Sequence, residues 1–314
     1  TIRPQTNGTT IGLGGGTGTL NLDDTMLGYI SAATKLTIGN NIAGNGDVNV
    51  SSWDLSAKTY AVDLFGNDID IDGLTLGTGD VLAYAKDNGV DVGTMSLLNP
   101  VTKALAGTST LTLRADKDIS IAAANITSTT GLLNIALNGD FNANSSGSIL
   151  FNGSTIDTNG GNLTLGSIAS LSAAQILNAG AGTITTSGAI TMGANDLTLK
   201  ADGAAIGAAI GGTGASILSV KPFTAATTIG IGGGAGTLNL TDAELAFLTP
   251  GGKLIIGDSA AGTGDIDLDS WDLSGKTHSV ELYGNDIDLG GLTLGTGNFL
   301  AHAMDAGADL GGIN

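Results

Sequence analysis

Asp68, Asp70 and Asp72 followed by Gly73 reproduce the opening D-x-D-x-D-G of a calcium loop, in which alternate carboxylates converge on a hard cation. The pattern then fails, because Gly79 stands where the bidentate glutamate belongs, and in a second occurrence Asp286 and Asp288 are followed by Gly290 instead of a third aspartate. These residues fit a strand with Ile69 and Ile71 inward and carboxylates outward. Stacked aspartate rows of that kind, Asp265, Asp267 and Asp269 included, collect Ca²⁺ only weakly, so no cofactor is expected beyond that weak Ca²⁺ affinity. SGKT from Ser274 matches the tail of a phosphate loop, yet Ser270 occupies the first glycine position and the related stretch from Ser56 reads SAKT. GLGGGTG from Gly12 puts Thr17 at the third glycine of G-x-G-x-x-G, which leaves a tight turn as its role. No H-E-x-x-H or G-x-S-x-G is present.

SWDLS begins at Ser52 and again at Ser270, and these two copies hold both tryptophans of the chain, Trp53 and Trp271. The offset is 218 residues (271 − 53), and it holds to either side: TTIGLGGGTGTLNL from Thr9 returns as TTIGIGGGAGTLNL from Thr227, and FGNDIDIDGLTLGTG from Phe65 returns as YGNDIDLGGLTLGTG from Tyr283. Residues 1–218 are therefore one full long repeat and residues 219–314 part of a second copy. The copies test the histidines as well. His278 stands where Tyr60 stands and His302 where Tyr84 stands. A general base or metal ligand does not exchange with a phenol, so neither histidine is expected to be catalytic. Each tryptophan has two readings, an exposed anchor for a glycan or subunit contact, or an indole filling a corner beside Leu55 or Leu273.

The net charge of −18, from 29 acidic and 11 basic residues, repels phosphate backbones and anionic membranes, so nucleic acid is not an expected partner. No apolar run is long enough to span a bilayer. Hydrophobic residues make up 41% and aromatics 4%, a core of small aliphatic side chains that suits thin stacked layers. There is no cysteine, which excludes disulfides and thiolate metal sites and is compatible with export in an unfolded state.

The elements that would position these residues are short strands. Apolar/polar alternation recurs at Thr19, Asp47, Asp68, Leu74, Leu111, Ile119, Leu163 and Leu197, which predicts strands two to five residues long. Turn residues separate them, as at Asn138, Ser145 and Asn159. Three stretches break the rhythm and predict short inserted helices. Thr241 with Glu244 forms a capping box ended by Pro250-Gly251, Asp23 holds the same capping position in the first copy, and Ser172 with Gln175 makes a third start before Gly180. Many short strands also suit a sandwich or propeller, but regular Asn-Gly hairpins are missing. The expected fold is all-β, a right-handed parallel β-helix (β-solenoid) with short inserted helices.

The stretch from Thr108 to Ser167, TSTLTLRADKDISIAAANITSTTGLLNIALNGDFNANSSGSILFNGSTIDTNGGNLTLGS, and SGAITMGANDLTLKADG from Ser187 resemble the repetitive shaft of filamentous-haemagglutinin-like exoproteins of Gram-negative bacteria. The resemblance implies a right-handed parallel β-helix, passage through an outer-membrane pore partner, and an extracellular life on the bacterial cell surface as a non-catalytic adhesin or fibre. Its partners would be neighbouring repeats or copies of itself end to end, and a host or cell-surface glycan or protein. The alternative is a polysaccharide-active or glycan-binding β-helix protein. The enzyme form needs clustered carboxylates with Arg or Lys, and Arg3 and Arg114 are the only arginines.

With an assumed coil of roughly 20–25 residues, one repeat adds about 45–50 Å of length. The expected small-angle scattering profile is that of a rod. A radius of gyration near the value of about 20 Å for a compact chain of this size would contradict the stacked reading.

Overall fold

The structure is a computed structural model and describes residues 1–41, 46–87, 89, 93–122, 124–144, 147–260, 264–304 and 311–314. Strands account for 52% of the chain and helices for 4%, so the fold is all-β, and its sheets are long and parallel. Two compact units are present, Thr1–Ala169 and Ser170–Asn314. The sequence repeat changes over at 218/219 instead, inside the second unit.

In the first unit the chain alternates between two columns of parallel strands. Val48–Asp54, Ile69–Leu76 and Met95–Lys103 pair side by side in one column. Ala61–Gly66, Val81–Ala85 and Ser109–Ala115 pair in the other. A parallel pair needs a long connection between its strands, and here the connection is the intervening strand of the other column. The first column divides after Lys103 into Ile119–Ile121 and Ile126–Ser128, while the second continues through Leu133–Asn138 to Leu163–Leu165. Between alternating strands a position returns to its column after as few as 19 residues (Val62↔Val81, 81 − 62) and as many as 37 (Ile11↔Val48, 48 − 11), while the consecutive strands Ile11–Gly14 and Leu20–Asp23 pair directly at 9 (Ile11↔Leu20, 20 − 11).

The second unit is built in the same way. Leu197–Ile206, Ile217–Lys221, Lys253–Gly257, Ser279–Gly284 and Phe299–Ala303 pair in succession. Leu238–Leu240, Ile229–Ile231, Ile266–Asp272 and Ile287–Thr293 form a second group. The registers of the two copies coincide at an offset of 218. Ile11↔Leu20, Ile11↔Val48, Leu36↔Val62, Val48↔Ile69 and Val62↔Val81 recur as Ile229↔Leu238, Ile229↔Ile266, Leu254↔Val280, Ile266↔Ile287 and Val280↔Phe299.

Every strand start singled out by alternation lies at or within one residue of an observed strand, except that several of the strands are longer than expected. They run to eight residues in Ile69–Leu76 and twelve in Gln175–Thr186. The reason is visible at Gly73, whose φ of +97° shifts the phase of alternation, so that Ile69, Ile71, Leu74 and Leu76 all face inward from one continuous strand. Side chains along these strands alternate between buried and half-exposed, as VNV from Val48 and STLTLRA from Ser109 show.

Two of the three predicted helices are present, Asp24–Tyr29 and Asp242–Phe247, again 218 apart. Asp23 accepts from the Met26 amide at 2.8 Å, and Thr241 and Glu244 form the reciprocal capping box. The second helix stops at Phe247, before Pro250, because Leu248–Thr249 is captured as a strand by Ile210–Gly212. The third helix is absent. Gln175 opens a long strand in register with Leu197, and Gln175, Leu177 and Ala179 are buried in it. Pairing along twelve residues outweighs a weak local start signal. The Asn138 and Asn159 turns are observed, with Asp140 and Asn159 in the left-handed region; Ser145 lies outside the described residues. Among the described residues no helix is long and apolar enough to cross a membrane.

The turn after Ile11–Gly14 is set by glycine. A Cβ on Gly16 would collide with the Asn49 backbone carbonyl, whereas one on Gly15 would meet only the Ser51 side chain at 3.7 Å. Gly16→Ala is expected to destabilise the fold by about 1–3 kcal/mol and Gly15→Ala by under about 0.5 kcal/mol, as read by chemical denaturation. Equal effects would contradict the close approach.

Candidate functional site

Of the aspartates that imitate a calcium loop, Asp68, Asp72 and Asp286 accept hydrogen bonds from a later segment of their column. Asp68 accepts from the Thr94 amide at 2.7 Å and its hydroxyl at 2.9 Å. Asp118 treats Ser148 in the same way at 2.8 and 3.0 Å. Asp80 accepts from the Thr110 amide and Asp196 from the Ile217 amide, and Asp286 from the Gly312 amide at 2.6 Å. Each carboxylate stands just ahead of one strand and holds an amide at the start of the next pairing segment in its column: Thr94 and Ser148 just ahead of a strand, Thr110 and Ile217 in its first two residues, and Gly312 just ahead of the Ile313 bridge. Neutral side chains accept in a similar way: Asn125, just ahead of Ile126–Ser128, from the Thr155 amide, and Asn134, inside Leu133–Asn138, from the Asn162 amide.

Asp72 is bonded to the side-chain amide of Asn99, one position displaced by a register shift after Ile71. Asp70 and Asp288 are register partners of Asn49 and Asp267 on the outward face. The carboxylates are therefore spread along the column edge instead of converging. Among the described residues no group of three or more His, Asp or Glu is placed to hold a metal ion.

Asp202 shows what such a ledge does to a carboxylate. Burial pushes its pKa up, but the Thr224 hydroxyl and amide, the Thr227 hydroxyl and the Phe223 amide outweigh burial and hold it below the ordinary range. This role left no motif in the sequence. The signal that would have found it is the polar residue, Asp or Asn, immediately before an alternating run, as in DIDI from Asp68 and DLTL from Asp196.

Trp53 and Trp271 are 3% and 5% exposed, and their neighbours Leu55 and Leu273 are buried with them. Beside Trp271 lies an open groove of about 820 Å³ bounded by Asp242, Leu245, Ser270, Lys276 and Leu292. In the first copy Leu74, the counterpart of Leu292, is paired with Val101.

Lys103 is wholly buried in the first unit, its ammonium donating to the carbonyls of Leu105 at 2.6 Å and Gly107 at 2.8 Å. Burial lowers its pKa. With both carbonyls held, its role is to close a loop.

The aromatic exchanges between the copies are structural. Tyr84 packs edge-on to Phe65 and Phe141 and donates its hydroxyl to Asp116 at 2.7 Å; burial and that carboxylate push its pKa up. His302 keeps the ring position, 5.8 Å from Tyr283. Tyr60 donates to the Ile30 carbonyl at 3.2 Å. His278 is equally buried, but its Nε2 has no partner. Burial, and then the neighbouring Lys276 ammonium, depress its pKa.

The unfolded chain takes up that proton at the ordinary histidine value, and the folded chain resists it. Stability is thus retained above about pH 6.5 and declines as pH falls from there toward the depressed folded value. His278→Tyr is expected to leave the melting temperature at pH 7.5 unchanged or raised and to flatten its fall between pH 7 and 5.5. A large loss at pH 7.5, or an unaltered slope, would contradict this assignment. No protein-family model, curated protein or solved structure matches the chain, so its two copies are each other's comparison.

Proposed function

We propose that the chain is a structural, non-catalytic segment of an extracellular surface fibre or adhesin, folded as a right-handed parallel β-helix whose coils supply length. The observation that carries this reading is the return of the same strand registers at an offset of 218. A protein that makes one piece of sheet twice, with tyrosine and histidine interchanged at Tyr60/His278 and Tyr84/His302, has preserved packing and pairing without keeping a histidine at either place. The alternation between two parallel columns is what a coil of stacked strands requires. Aspartates capturing the next strand also suit a stack better than a cleft, since each carboxylate is already occupied by backbone amides.

The charge of −18 keeps such a segment soluble and apart from nucleic acid. The resemblance of the Thr108–Ser167 stretch to bacterial surface exoproteins supplies the cell-surface setting.

Two measurements test the proposal. Electron microscopy of the native material is expected to show filaments, and globular particles would contradict it. Incubation of the chain with acidic polysaccharides, with and without Ca²⁺, is expected to leave polymer length unchanged. Depolymerisation would establish the polysaccharide-active alternative, and a Ca²⁺ requirement would return the aspartate rows to metal binding.

A further inference from the structure

The last turn of each helix is held by the stretch that follows the buried tryptophan, and the two copies hold it differently. In the first, the Lys58 ammonium donates to the carbonyls of Gly28 at 2.9 Å and Ile30 at 3.1 Å, and the Tyr60 hydroxyl adds a bond to Ile30. In the second, Lys276 donates to the Ala246 carbonyl at 3.0 Å. His278 stands in place of Tyr60 there, 6% exposed and with its Nε2 unpartnered. Carbonyls of a last turn find no partner inside their own helix, and a helix of six residues does not persist without outside contacts. The second helix therefore depends on the Lys276 bond more than the first depends on any one of its three.

We infer that His278 makes the second helix, Asp242–Phe247, an acid-released clasp, closed while the imidazole is neutral and opened when the ring takes up a proton.

Among the described residues no carboxylate pairs with the ring. Two residues before it stands the Lys276 ammonium, and Asp272, earlier in the same stretch, accepts from the Ser274 amide. The helix carries Asp242 and Glu244, and Glu244 is taken up by the Thr241 amide and hydroxyl and the Ile206 amide. On the preceding coil, where the Gly252 carbonyl accepts from the Ser279 amide, the ionisable residue is Lys253, paired with Glu281. On the following coil Gly297 lies against the His278 carbonyl, and residues 294–299 carry no ionisable side chain.

A proton on His278 thus sets a second buried cation beside an ammonium and gives Nε2 a hydrogen with no acceptor. The ring relieves this by leaving the interior. Lys276 moves with it, since Thr277 alone separates the two, and the Ala246 carbonyl loses its partner. The helix then frays from its C-terminal end, while the capping box keeps its start. A phenol does not change charge between pH 5.5 and 7.5, so the first helix has no such release. Clasp and fibre are independent: a filament can carry a helix indifferent to pH, and a globule can carry this one.

Amide exchange of the intact chain, with the helix Asp24–Tyr29 as internal control, is the test. The open clasp binds its proton at the ordinary histidine value of about 6.5 and the closed one resists it, so the closed form is favoured above that pH and loses ground below it. Acidification from pH 7.5 to 5.5 is expected to lower the protection of the Leu248 amide, which donates to the Leu245 carbonyl, by about tenfold after correction for intrinsic exchange. The Ile30 amide, which donates to Leu27 in the first copy, is expected to keep its protection. His278→Gln and His278→Tyr should each abolish the response, and tyrosine is already accommodated at this place in the first copy. No fall at Leu248, an equal fall at Ile30, or a fall spread evenly over Ser170–Asn314 would overturn the proposal. A response that survives in both variants would do the same.

Discussion

Backbone pairing in parallel register is the constraint on which the rest of the structure depends. A strand buried on one face must satisfy its N–H and C=O groups along both edges, and in a parallel arrangement the partner cannot be the next strand along the chain without a long connection. Apart from the consecutive pairs Ile11–Gly14 with Leu20–Asp23 and Ile229–Ile231 with Leu238–Leu240, this chain meets the requirement by moving between columns, so that a strand of one column serves as the connection for its neighbours in the other. Once that pattern is adopted, the inward residue at a given level must match those above and below it in size. Ile69, Met95 and Ile119 stack in this way, as do Val81, Leu111 and Ile135. An aliphatic composition with few aromatic rings follows directly.

The same constraint explains the acidic residues. A strand whose start drifts by one residue turns its apolar face outward, and a carboxylate fixed ahead of the preceding strand prevents the drift by holding one amide. Asp68, Asp118, Asp196 and Asp286 each do this for the next strand in their columns. Part of the chain's negative charge thereby becomes a registration device. Glycine has the complementary role at the turns, where backbone passes so close to backbone that a methyl group does not fit.

Much of this was legible in the sequence, and for identifiable reasons. Alternation located the strands because one face is buried nearly everywhere, and the caps at Asp23 and Thr241 located both helices because their hydrogen bonds are local. The start at Ser172 misled because its competitor is long-range: nothing near Gln175 announces that Leu197 will lie beside it. Strand length was underestimated for the same kind of reason. The phase shift at Gly73 joins two alternating runs into one strand, and a glycine in sequence reads as a break. The aspartates were read as an outward row, and their use as acceptors emerged only when strands 21 to 30 residues apart were placed side by side.

The two copies hold one register, and cysteine pairs test this directly because the chain contains no cysteine. Asn49→Cys with Asp70→Cys, and Asp267→Cys with Asp288→Cys, place thiols on register partners of the first and second copies. Asn49→Cys with Asp72→Cys is out of register by two residues, too far for a disulfide without backbone movement. Mild oxidation is predicted to cross-link both in-register pairs and to leave the displaced pair reduced. Cross-linking in only one copy, or of the displaced pair as readily as the others, would contradict the account.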